Sequence, residues 1–198
     1  MIPEINISNL DDIRSLLRQL PNADQQSAKK AKMREPMLTK PPGSLGRLEE
    51  FSLWLSSWQG KHPPQMGNPL VLVFSGSHGI TEEGVSAYPA EVTAQMLANF
   101  HAGGGAVNQL SQAFGATLRA IDINVANPTK SFIRKPAMSV SEFVDAFERG
   151  MAAVDLDSDV VCIGEMGIGN TTVAAAICHT LNGGNAVQWV GPGTGVTG

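Results

Sequence analysis

A short run of glycines and small polar residues, Gly164-Glu165-Met166-Gly167-Ile168-Gly169-Asn170-Thr171-Thr172, is where this sequence concentrates its chemistry. Gly164, Gly167 and Gly169 let the backbone turn sharply and present its N–H groups to one side. Asn170, Thr171 and Thr172 are cap residues for a helix expected over 173–181. The apolar run Val160, Val161, Cys162, Ile163 just before the loop has the pattern of a buried parallel strand. Strand, glycine loop and helix N-terminus in that order form a cradle for an anion.

The loop comes close to a nucleoside-triphosphate motif and then departs from it. Gly164 and Gly169 have the P-loop spacing and Thr171 stands at its Ser/Thr position, but Asn170 occupies the place of the lysine. That lysine reaches the β/γ-phosphates, so its absence argues against ATPase or kinase chemistry. The dinucleotide fingerprint fails as well, because no third glycine follows at the right distance. What remains is a site for one small phosphate, a monophosphate, set against the plainer reading of a tight turn with no ligand.

The elements around this loop place further polar residues near it. An apolar run over 70–74 reads as a strand and ends in Ser75-Gly76-Ser77-His78-Gly79. His78 is balanced evenly between ligand contact and a structural histidine. The polar loop 81–89 carries Glu82, Glu83, Ser86 and Tyr88, and a helix with an apolar face of Val92, Met96, Leu97 and Phe100 follows. A third glycine loop, Gly191-Pro192-Gly193-Thr194-Gly195, follows a fourth expected strand over 186–190. Strands near 70, 118, 160 and 187 alternate with helices, which predicts an α/β fold. Its core is a parallel, Rossmann-like sheet flanked by helices, with the glycine loops on one edge.

Ahead of that alternation the pattern is helical only. Ser8 with Asp11 suggests a cap for a first helix bearing Ile13, Leu16, Leu17 and Leu20, and Asp24 suggests one for a second. Two prolines and a glycine break the chain at 41–43, and a third helix follows with Leu48, Phe51 and Leu55 on one face. After the Pro-rich stretch 62–69, Ser139 and Glu142 have capping-box spacing before a helix faced by Phe143, Phe147, Met151 and Val154. The expected organisation is a small helical subdomain over 1–66 and an α/β nucleotide-binding domain over 67–198, incomplete at its C-terminus.

Composition narrows the function classes. The 198 residues are 42% hydrophobic and 16% charged, with a net charge of -4. A core can form, and the absence of a basic stripe makes nucleic acid a poor partner. The apolar runs are far too short for a membrane span, and the N-terminus lacks the pattern of a secretory signal. Cys162 and Cys178 read as small buried hydrophobes in a reducing cytoplasm, and no His, Cys and acid cluster has metal-ligand spacing.

Two of these stretches together resemble one family. Residues 39–49, Thr-Lys-Pro-Pro-Gly-Ser-Leu-Gly-Arg-Leu-Glu, and residues 164–172 match signatures of the nicotinate-nucleotide–dimethylbenzimidazole phosphoribosyltransferases. The similarity extends to Gly84-Val85-Ser86, to 103–106 and to 191–195. It implies transfer of ribose phosphate from nicotinate mononucleotide to 5,6-dimethylbenzimidazole, giving α-ribazole 5′-phosphate and nicotinate, in cobalamin lower-loop synthesis. It implies no cofactor and no metal, since the glycosylated nicotinate nitrogen is cationic and no pyrophosphate leaves. It further implies a cytoplasmic homodimer, to which Met96, Leu97 and Phe100 could contribute. Carried over by position, Gly167, Gly169, Asn170, Thr171, Gly193 and Thr194 would hold the nucleotide phosphate. Glu165 would face the ribose as an auxiliary catalytic carboxylate. Ser86, Tyr88 and His78 would line the base pocket.

The resemblance also has departures. The family has Gly-Asp-His-Gly where this chain has Gly76-Ser77-His78-Gly79, and often an arginine where Pro192 stands. Its general-base glutamate and a lysine lie beyond Gly198, so the resemblance is to the N-terminal part of the enzyme. The expectation is that the 198-residue chain alone transfers no ribose phosphate. A non-catalytic nucleotide-binding relative and a transferase for another base are the competing readings.

Overall fold

The computed structural model describes residues 7–193 and 195. Three parallel strands form its sheet, in the order β2-β1-β3, with β1 (Pro69–Ser75) in the middle. β2 (Thr117–Asp122) pairs with it from Leu70↔Thr117 to Ser75↔Asp122, and β3 (Val160–Met166) from Pro69↔Val160 to Ser75↔Met166. Seven α-helices accompany the strands among the described residues: α1 (Leu10–Leu17), α2 (Gln25–Arg34), α3 (Arg47–Gln59), α4 (Val92–His101), α5 (Ala106–Ala113), α6 (Val140–Ala152) and α7 (Asn170–Asn182). The expected α/β class with a parallel sheet is what the chain forms.

The core follows from the position of β1. Leu70 and Leu72 are buried to 1% and 0% exposure and meet Ala153, Phe74, Ile121 and Val161. α4 and α5 pack on β2, and α4 also reaches β3. α2 and α3 pack on each other. α1 packs elsewhere: Ile7 and Ile13 close over Val144 and Phe147 of α6. At the foot of the sheet, the Asp159 carboxylate accepts from the N–H groups of Gly67 and Asn68, at 2.9 and 3.0 Å. Gln59 donates to the Asp159 carbonyl at 2.8 Å, which ties the end of α3 to the entry of β3.

Several expectations are corrected. Residues 186–190 form no strand; Ala186–Gln188 is a single 3-10 turn with Val187 and Val190 exposed. β3 is therefore an edge strand, with Ile163 75% exposed and Cys162 exposed, and Cys178 is only half-buried. An apolar run specifies a strand, but burial also needs a neighbour on each side. The cap of α1 is Asn9, not Ser8: its side chain accepts from Asp11 and Asp12, and Asp12 returns the bond. On α3 the buried position is Ser56, while Leu48 and Phe51 are exposed. On α6 the buried position is Val144, and Phe143 is exposed. The capping box of Ser139 and Glu142 and the cap by Asp24 form as expected.

The signature segment before α3 is closed by charge. Lys40 lies 2.5 Å from carboxylate oxygens of both Glu35 and Glu49, with its side chain only 14% exposed. These carboxylates, Glu35 first and then Glu49, raise the Lys40 pKa. Lys40 in turn lowers that of Glu49, helped by the Leu45 N–H. Backbone N–H donors lower three more carboxylates: Ser8 acts on Asp12, Ser27 on Asp24 and Ser139 on Glu142. Depressed carboxylates contribute stability that is present above their ordinary pKa of about 4 and lost as pH falls through the folded values. The raised lysine contributes stability present below about 10.4 and lost as pH climbs through its folded value. Thermal unfolding is thus expected to show a plateau between those limits. In Lys40→Met the plateau should be lower and the acid limb shallower, because Glu49 has lost the partner that holds its pKa down. Superimposable curves for the two proteins would contradict this.

Candidate functional site

β1 and β3 deliver their loops side by side, because the register brings Ser75 opposite Met166 and the Gly76 N–H donates to the Met166 carbonyl at 3.0 Å. Beyond Met166 the chain leaves the sheet. Gly167 has no room for a side chain: a Cβ there would strike the Gly76 carbonyl oxygen and Oδ1 of Asn170. Gly169 is buried at φ 90°, a conformation that glycine adopts without strain. Its backbone lies against Ile80 and Thr81, where a Cβ would sit 3.2 and 3.3 Å from their methyl carbons. The chain then enters α7 at Asn170, and the Val173 N–H donates to the Gly169 carbonyl at 3.2 Å.

Among the described residues, the N–H groups of Gly167, Gly169 and Thr171 have no protein acceptor. That of Ile168 does have one: it donates to Oγ1 of Thr93 at 3.0 Å, and Thr93 is 1% exposed. Thr93 on α4 is the anchor of the loop, and sequence reasoning missed it. A lone threonine on a helix carries no spacing signal, although its place on the Val92–Met96 face was legible.

Two clefts of about 390 Å³ each open beside this loop. One is lined by Gly167, Gly169, Asn170 and Thr171 together with Ser86, Tyr88, Val92 and Met96. The other is lined by Ser75, Gly76 and His78, with apolar walls that include Phe74, Ile123 and Ile177. Glu165, Met166, Asn170 and Thr171 belong to both. The structure therefore brings Ser86 and Tyr88 to the glycine loop and puts His78 across from them, where its Nε2 lies 2.5 Å from Oδ1 of Asn170. It is not in their cleft. The third loop also arrives: Gly193 sits at φ 53°, and a Cβ on it would stand 3.1 Å from Oγ1 of Thr171. Thr194 lies outside the described residues. Ser77 is buried, and its carbonyl accepts from Thr129 N–H at 3.1 Å.

Within the chain, Leu97 of α4 is buried, Met96 lines a cleft and Thr93 holds the loop. No helix among the described residues is long and apolar enough to cross a membrane.

Comparison with known proteins agrees with this geometry. A family model described as phosphoribosyltransferase matches residues 20–198. A nicotinate-nucleotide–dimethylbenzimidazole phosphoribosyltransferase of Roseobacter denitrificans is 50% identical over 189 residues, 96% of this chain and 56% of the relative. The enzyme of that name from Methylorubrum extorquens is 52% identical over 193 residues, 98% of this chain and 56% of the relative. A crystal structure of CobT from Thermus thermophilus superposes with a TM-score of 0.75 at 36% identity, covering 87% of this chain and 57% of that one. This chain thus spans 56% of the length of the two enzymes compared. By its matched residues, its sheet and its glycine loop, the chain belongs to the phosphoribosyltransferase family.

Proposed function

We propose that this chain carries the nucleotide-binding side of a nicotinate-nucleotide–dimethylbenzimidazole phosphoribosyltransferase. The supporting observation is the pair of clefts that meet at Glu165 and the glycine loop. A transfer with inversion needs one ring on each side of the anomeric carbon. The bond from C1′ to the nicotinate nitrogen breaks, and its electron pair neutralises that cationic nitrogen. A bond from C1′ to a benzimidazole nitrogen forms, and the proton on the other ring nitrogen passes to a general base. The phosphate occupies the free N–H groups at the start of α7, with the helix dipole favouring its charge. Glu165, between the clefts, faces the ribose and stabilises the cation-like carbon. Ser86 and Tyr88 contact the base. The homodimer and the cytoplasmic setting belong to the same reading and are supported by the family resemblance.

Titration calorimetry with nicotinate mononucleotide tests the binding half of this reading. Saturable uptake by the 198-residue chain is expected. Thr171→Ala should weaken it by about 1 kcal/mol, the typical worth of one hydrogen bond. No uptake at millimolar nucleotide by a folded sample would overturn the assignment.

A further inference from the structure

We propose that His78 is a positioning residue: its ring turns the amide of Asn170 so that Nδ2 faces the clefts as a hydrogen-bond donor. The inference rests on the nucleotide reading above for its purpose, but on geometry for its substance. The backbone at His78 is tightly held. His78 bridges to Thr129, Thr81 Oγ1 donates to the His78 carbonyl at 2.8 Å, and a Cβ on Gly79 would strike the backbone of Thr129 and Ser131. From this ledge Nε2 reaches Oδ1 of Asn170, and a Cβ on Gly167 would strike the same oxygen.

An asparagine amide can be placed two ways, and its surroundings choose between them. With Oδ1 toward His78, the NH₂ group is left for the clefts that Asn170 shares with Glu165. The reverse placement would set a carbonyl oxygen toward a carboxylate and toward a bound phosphate, acceptor against anion. Only an imidazole with a proton on Nε2 can hold the first placement. A ring protonated on Nδ1 alone would present an acceptor and turn the amide over. His78 thus fixes the polarity of the group that stands where triphosphate-binding loops carry a lysine.

Nitrogen-15 NMR of the 198-residue chain reads the ring directly, without ligand. A proton on Nε2 is expected, and a ring protonated on Nδ1 alone would overturn the proposal. Calorimetry with nicotinate mononucleotide reads the consequence. His78→Ala should lower affinity about 10-fold, on the scale of one hydrogen bond. His78→Gln, whose amide can still donate to Asn170, should stay within about 3-fold of the parent. Equal affinity in His78→Ala, or a Gln variant no better than Ala, would refute the role. Should His78→Ala fail to fold, the Gln variant against the parent and the ring signature decide. If the parent takes up no nucleotide, the functional reading falls while the ring signature still judges the positioning.

Discussion

Gly169→Val is expected to lose nucleotide binding, with affinity falling on the order of 100-fold. Two costs combine. The residue sits at φ 90°, where a β-branched side chain is strained by about 1–3 kcal/mol. Its Cβ would already stand 3.2 Å from Ile80 and 3.3 Å from Thr81, and the two γ-carbons extend the side chain further. Relief requires the peptide to rotate, which re-aims the N–H groups proposed to hold the phosphate. A change of about 1.4 kcal/mol is tenfold in affinity, so a loss of two decades needs about 2.8 kcal/mol, within the range of the strain alone. Calorimetry with nicotinate mononucleotide measures it. Unchanged affinity in a variant of native thermal stability would remove the phosphate from this loop.

Leu72→Ala should be the most damaging substitution to stability, costing about 2–5 kcal/mol. Leu72 has 0% exposure at the centre of the middle strand, between Arg119 of β2 and Ile163 of β3. Removing its branched end leaves a cavity beside Leu70 and Ala153 that a sheet strand bonded on both sides cannot collapse to fill. Domains of this kind are stable by only about 5–15 kcal/mol, so the loss is a large share. Urea unfolding gives the difference. A cost below about 1 kcal/mol would mean that the core is not seated on this strand.

The strand–loop–helix unit was legible because each part carries a local rule. Glycine spacing fixes the turn, Asn170 and the threonines begin the helix, and the apolar run before them makes β3. Burial was not legible, because it depends on what lies beside a strand and not on the strand itself. Residues 160–163 read as core and form an edge, with Ile163 exposed. Residues 186–190 read as a strand, yet Ala186–Gln188 forms a 3-10 turn and pairs with no strand. In the site, residues of the glycine loop line one cleft with Ser86 and Tyr88. The supports did not announce themselves. Thr93 and the pairing of His78 with Asn170 join positions far apart in the chain, and no periodicity marks such pairs.

The strand order β2-β1-β3 also sets the sequence of events in folding. The middle strand is the first of the three to leave the ribosome, yet its two neighbours begin only at Thr117 and Val160. Its apolar side chains must wait unpaired until those strands emerge, and β3, which leads into the glycine loop, follows β2. Parallel pairings over such separations require large loops to close before any contact rewards them, so folding should be slow for a domain of this size. The glycine loop, proposed above to hold the phosphate, can take shape only when β3 has paired with β1. A nucleotide that binds there would favour the state in which β3 is paired.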